Sequence, residues 1–131
     1  MILLDTHIWI WWLNGSMATL GNKWSEVIRT SARIGVSAIS CFEVAWLARH
    51  RQIELPLPMA DWFSKATSGS GIEIIPITPL IAETAVSLPE HHRDPQDRLI
   101  MATAIANKIQ LISADTKFGL YRELDELRVP R

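Results

Sequence analysis

The chain has 131 residues, 48% of them apolar and 21% charged, with 13 Lys+Arg against 14 Asp+Glu for a net charge of −1. That length suits one domain over residues 1–131 with a core of its own, and the composition excludes a disordered chain. The charge balance excludes a protein that coats nucleic acid by bulk positive charge, but leaves room for a local basic groove. A single cysteine, Cys41, excludes a disulfide framework and a multi-cysteine zinc site, and suits a reducing cytoplasm. Met1–Asp5 has no basic segment and reaches an acid at position five, so it does not read as a signal peptide. The apolar runs fall short of the ~20 residues a membrane helix needs, so no membrane is expected among the partners.

In chain order, Ile2–Asp5 reads as a buried strand and Thr6–Leu13 as a helix stopped by Asn14-Gly15. A helix over about Asn22–Arg33 sets Trp24, Val27 and Ile28 at helical spacing. Ile34–Ala38 reads as a strand containing Gly35, and Ser40 as the N-cap of a helix running to about His50. Pro56 and Pro58 break the chain before a helix over Met59–Thr67 and a turn at Ser68–Gly71. Ile72–Ile77 is a third strand that Pro76 can shorten. Pro79 opens a helix to about Leu88, and Pro89–Arg93 is a polar connection. Pro95–Asn107 is the clearest helix, Ile109–Ser113 a fourth strand, and Phe118–Tyr121 a short helical piece in a charged tail. This alternation predicts an α/β fold: a central parallel β-sheet flanked by helices on both faces.

The acids fall in unusual places. Asp5 is the only acid from Met1 to Leu13 and ends the first strand. Glu43 is the only charged residue from Ile34 to Ala48, with Trp46 and Leu47 at its i+3 and i+4 positions. Asp97 lies in the first turn of the Pro95 helix, Asp94 just before it, and Asp115 directly after the last strand. In open parallel sheets, ligands bind outside the carboxyl ends of the strands. Asp5 and Asp115 lie at such ends, and helix starts such as those bearing Glu43 and Asp97 face the same edge. Clustered carboxylates keep a proton or share a cation, and hard oxygen ligands suit Mg²⁺ or Mn²⁺ in phosphoryl chemistry. Each acid also has a structural role open to it: Asp5 can cap its helix, Asp94-Pro95-Gln96-Asp97 can cap the next, Glu43 can pair with a distant base, and Asp115 can begin a turn.

Four segments carry a family resemblance. They are Leu3-Leu4-Asp5-Thr6-His7 with Trp11-Trp12-Leu13; Val36-Ser37-Ala38-Ile39-Ser40 leading to Glu43-Val44-Ala45; His92-Arg93-Asp94-Pro95-Gln96-Asp97-Arg98-Leu99-Ile100 with Ala102 and Ala104; and Leu111-Ile112-Ser113-Ala114-Asp115 with Phe118 and Tyr121. In this order, from Met1 to about Tyr121, they resemble the PIN-domain ribonucleases, in particular the VapC-type toxins of bacterial toxin–antitoxin pairs. The family often has Phe where Gln96 stands, a departure at a packing position. The resemblance implies the PIN fold and a metal-dependent endoribonuclease. It makes Asp5, Glu43, Asp97 and Asp115 the catalytic, Mg²⁺- or Mn²⁺-holding cluster, with Asp94, Thr6 and Ser113 supporting it. It also implies an RNA substrate, a small antitoxin and a second copy of the chain as partners.

The candidate RNA-facing cations are Arg93, Arg98, Lys117 and Arg122, with Arg49 and Arg51 more distant; each can instead be solvated surface, and Arg98 can pair with a neighbouring acid. His91-His92 makes a poor two-ligand metal clamp because adjacent side chains diverge, so these residues read as loop. Trp9, Trp11 and Trp12 cannot share one helix face at about 100° per residue. That surface is covered by a partner or by a neighbouring helix of the same chain. Two other classes compete. A receiver-type phosphotransfer domain would want paired acids after the first strand, and a dehalogenase-like phosphatase an Asp where His7 stands. An inactive PIN-like binding module would have lost acids that are all present here.

Overall fold

A computed structural model describes residues 1–131. Its elements are β1 (Ile2–Leu4), α1 (Thr6–Leu13), α2 (Met17–Leu20), α3 (Asn22–Thr30), β2 (Ile34–Ser37), α4 (Ala38–Arg49), α5 (Met59–Thr67), β3 (Ile72–Ile75), α6 (Pro79–Ser87), α7 (Pro95–Asn107) and β4 (Gln110–Ile112), followed by 3₁₀ turns at Thr116–Leu120 and Arg122–Leu124. The four strands form one parallel sheet in the order β3-β2-β1-β4. The expected α/β architecture is therefore found, a parallel sheet between helical layers.

The two-residue period of the strands assigns the layers. Ile2 and Leu4 of β1 point into a cluster with Trp9, Trp24, Ile28, Val36 and Trp62. Leu3, between them, points the other way, into a cluster with Ile100, Met101, Leu111, Phe118 and Tyr121. Both faces of β1 are covered, which is why it reads as an unbroken apolar run. Gly35 lies at a close approach: a Cβ there would meet Ile75 Cδ1 at 2.8 Å, so the Ile75 side chain would have to shift to make room. The tail guards the outer edge of β4, where the Leu111 amide donates to Leu127 O and the Val129 amide donates to Leu111 O.

Several boundaries differ from the sequence reading. The cap of α4 is Ser37, whose hydroxyl accepts from the Ile39 amide, and not Ser40, which is buried in the first turn beside Thr6. Helix α3 stops at Thr30, leaving Ser31–Arg33 as the link into β2, and β3 stops at Ile75 before the donor-less Pro76. Strand β4 is trimmed to Gln110–Ile112, and the four-residue α2 is too short to leave a periodic signature.

Trp9, Trp24 and Trp62 are buried, Trp11 and Trp12 pack half-buried against the same cluster, and Trp46 is 51% exposed. The chain's own helices thus cover much of the α1 tryptophan surface, and the exposed aromatic face lies on α4 instead. No helix is long and apolar enough to cross a membrane.

Candidate active site

The sheet order places a topological switch point between β1 and β4, since β2 and β3 extend from the other side of β1. The carboxyl ends of these two neighbours carry Asp5 and the Ser113–Asp115 segment. A cavity of about 350 Å³ opens there, with Asp5, Glu43, Asp97 and Asp115 all on its wall beside His7 and Trp11. The four acids, separated by up to 110 positions (115 − 5), meet at one edge of the sheet.

Each acid is held by its local structure. Asp5 follows β1 and caps α1, its Oδ1 accepting from the Thr6 amide at 2.8 Å and its Oδ2 from the Ser113 hydroxyl at 2.7 Å. Ser113 in turn accepts from the Asp115 amide at 3.1 Å, so one hydroxyl ties the ends of β1 and β4 together. Glu43, in α4, accepts at Oε1 from the Thr6 hydroxyl at 2.6 Å, and that hydroxyl lies 2.9 Å from the Ser40 hydroxyl. Asp94 caps α7, its Oδ1 accepting from the amides of Gln96 and Asp97, while Pro95 takes the first helical position. Asp94 is thus the capping group and Asp97 the acid on the cavity wall. Asp115 accepts at Oδ1 from the Lys117 amide at 2.9 Å and opens the first 3₁₀ turn. The capping and site roles therefore coexist at Asp5 and Asp115.

No Lys or Arg forms an ion pair with any of the four acids; the basic-to-acid pairs of the chain are Arg29–Glu26, Arg33–Glu73 and Arg93–Glu90. The electrostatic consequence is plain at Asp97. Burial, followed by the charges of Asp5, Asp94, Glu43 and Asp115, pushes its carboxyl up to about 8. Burial likewise raises Asp5, against the pull of its Ser113 and Thr6 hydrogen bonds. It raises Glu43 against the Thr6 bond, with Asp5 adding repulsion. An all-oxygen donor set that is electrostatically strained in this way fits a hard divalent cation.

One side chain in this group was not expected from the sequence. His92 lies in the loop before α7, as its reading as a loop residue requires, yet its Nε2 reaches Asp97 Oδ2 at 2.7 Å and Asp115 Oδ2 at 3.0 Å. Its side chain is only 11% exposed. His91 instead packs edge-on against Tyr121. The two neighbouring side chains diverge, and one of them reaches the site. The signal available was His92's place inside the His92–Asp97 block, near two acids in sequence.

The basic candidates separate clearly. Arg93, Lys117 and Arg122 are exposed, as are Arg49 and Arg51. Arg98 is not a free cation and does not pair with an acid: its guanidinium donates to the carbonyls of Val86, Leu88, Pro89 and His92.

Comparison with known proteins bears on the fold and the family. The sequence model of the family described as PIN domain matches residues 2–124. Ribonuclease VapC22 of Mycobacterium tuberculosis (strain ATCC 25618 / H37Rv) is 37% identical over 122 residues, which is 92% of this chain and 92% of that protein. Among solved structures, VapBC2 from Rickettsia felis bound to a DNA fragment from its promoter superposes with a TM-score of 0.69 at 20% identity, covering 98% of both chains. A toxin–antitoxin complex from Klebsiella pneumoniae superposes with a TM-score of 0.66 at 23% identity, covering 99% of this chain and 97% of that one. The likeness to these two structures is one of fold.

Proposed function

The chain belongs to the PIN-domain family, among its VapC-type ribonuclease toxins, and from that premise we propose that its single PIN domain (residues 1–131) cleaves RNA phosphodiester bonds internally with Mg²⁺ or Mn²⁺ held by Asp5, Glu43, Asp97 and Asp115. The observation that carries this reading is the convergence of four carboxylates, none paired with a Lys or Arg, on one cavity at the switch point of the sheet. A bound divalent cation supplies Lewis acidity toward water and toward the phosphate oxygens.

The chain's residues divide the remaining work. Asp5 and Asp97 are the direct ligands, and Asp115 closes the site. Glu43 has Oε1 tied to Thr6, which leaves Oε2 to bind the cation or to orient the attacking water and accept its proton. Ser113 and Thr6 hold Asp5 and Glu43 in place, which limits reorganisation when charge develops in the transition state. The exposed Arg93, Lys117 and Arg122 supply the phosphate contacts that the net charge of the chain does not.

The proposed partners are an RNA substrate, a small antitoxin and a second copy of the chain, acting in the cytoplasm. Complexes of toxin with antitoxin among the structural neighbours support the antitoxin. Exposed apolar side chains at Phe42, Trp46, Leu80 and Val86 are surface of the kind that partners cover. The test is RNA cleavage by the purified chain with Mg²⁺, with EDTA, and with a folded Asp97→Asn variant. Cation-dependent cleavage that Asp97→Asn loses supports the reading. Cleavage unaffected by both overturns it.

A further inference from the structure

The loop between α6 and α7 is fixed with unusual redundancy. Arg98 donates to the carbonyls of Val86 (3.3 Å), Leu88 (2.6 Å), Pro89 (2.9 Å) and His92 (2.9 Å). From the other side, the buried Tyr121 hydroxyl accepts from the His92 amide at 2.7 Å and donates to Pro89 O at 2.9 Å. Both backbone polar groups of His92 are therefore engaged by side chains from elsewhere in the fold. Its ring lies against the edge of Phe118, 6.2 Å between centroids. This loop is built to aim one imidazole.

The imidazole is aimed at two carboxylates. Nε2 lies within hydrogen-bond distance of Asp97 Oδ2 and Asp115 Oδ2, while Nδ1 faces the Asp94 amide, which donates to it at 3.4 Å. A neutral imidazole has one donor and one acceptor nitrogen. The Asp94 amide donates to Nδ1, which favours the tautomer with its hydrogen on Nε2, pointing between the two acids. A nitrogen carrying that hydrogen is a donor, not a metal ligand. It engages one oxygen of Asp97 and leaves Oδ1, which has no hydrogen bond within the chain, free to meet a cation.

We propose that His92 is a positioning residue of the acidic site: its Nε2–H bridges Asp97 and Asp115 and holds them at the spacing a divalent cation requires. This rests on the cation-dependent reading of the site and adds to it a residue that binds neither cation nor RNA. Groups hydrogen-bonded to metal ligands orient them, and losing one typically lowers metal affinity about 10–100-fold.

The experiment titrates the full-length wild type, His92→Ala and His92→Gln with Mn²⁺ alone, reading free Mn²⁺ by electron paramagnetic resonance. The expected result is Mn²⁺ affinity lowered about 10–100-fold in His92→Ala and largely recovered in His92→Gln, whose amide N–H can replace the donor. The electron-spin-echo signal of bound Mn²⁺ should show no directly bonded histidine nitrogen. Unchanged or tighter binding by a folded His92→Ala overturns the proposal, as does a bonded nitrogen signal that His92→Gln abolishes. The cation-free protein gives a separate reading through the ¹⁵N resonances of His92, expected to show hydrogen on Nε2; hydrogen on Nδ1 overturns the proposal. Wild type that binds no Mn²⁺ while His92 keeps its Nε2–H overturns the cation-dependent function and leaves the bridge standing.

Discussion

Glu73 and Asp97 are both carboxylates on an α/β sheet scaffold, and they have opposite electrostatics. Glu73, in β3, meets Arg33 through two hydrogen bonds of 2.7 and 2.8 Å on an open surface, and that guanidinium pulls its carboxyl below the usual range. Asp97 sits half-buried among Asp5, Glu43, Asp94 and Asp115, with one imidazole and no guanidinium or ammonium beside it, and is pushed up to about 8. The first acid has its partner within the chain. The second lies where the chain has gathered acids that it pairs with no guanidinium or ammonium, the place the proposed cation would occupy. The difference lies in what the fold places around each carboxylate, and not in the residue type.

The largest expected effect comes from erasing the unneutralised charge. Asp97→Asn should abolish cation-dependent RNA cleavage while raising the cation-free melting temperature near pH 8, because it removes a repelled carboxylate. Lost activity together with a lower melting temperature would mean that Asp97 is held by a partner within the chain, and would erase the contrast.

Proton linkage gives the next effect. Asp97 holds its proton up to about pH 8 in the folded chain, against 3.8 ordinarily. Between those values the folded state binds the extra proton, so cation-free stability should fall as pH rises from about 4 to about 8. The raised Asp5 and Glu43 act in the same direction. Thermal melts in EDTA should show this fall, and added Mn²⁺ should restore more stability at pH 8 than at pH 5. A cation-induced shift independent of pH would count against competition between proton and cation.

Smaller effects follow outside the carboxylate cluster. Arg98→Met should cost on the order of 2 kcal/mol, since four carbonyls lose a charged donor. It should also weaken Mn²⁺ binding through the loop that carries His92. Asp94→Ala should cost about 1 kcal/mol by removing the cap of α7, measured by urea denaturation. At the other pole of the comparison, Glu73→Gln should leave both activity and melting temperature unchanged, because exposed ion pairs are weak and screened. A clear loss of stability there would show the surface pair to be a structural anchor.

Much of this arrangement is legible from local signals. The apolar run at Ile2–Leu4, the proline that opens α7 and the isolation of Glu43 among apolar neighbours all register within a few residues. Asp5, Asp97 and Asp115 are readable because in a parallel sheet the ends of strands and the starts of helices share an edge. The choice between Ser37 and Ser40 as the cap of α4 was not readable, since both hydroxyls precede helical sequence. The fold assigns Ser37 to the Ile39 amide and Ser40 to the Thr6 hydroxyl. Arg98 likewise reads as a free cation or an acid's partner, until α6 brings its C-terminal carbonyls alongside α7.

What the sequence determined by itself is the net charge of −1, the alternation of strand and helix, the positions of Asp5, Asp97 and Asp115 at element ends, and the isolation of Glu43 in an apolar helix. Those follow from periodicity and chain order, which are properties of neighbouring residues. Only the tertiary structure decided that Arg98 and Tyr121 brace one loop, and that His92 rather than His91 turns into the acids. The direction of a loop side chain is set by the groups that hold its backbone. Here those groups lie six and 29 residues away, beyond the reach of any local pattern.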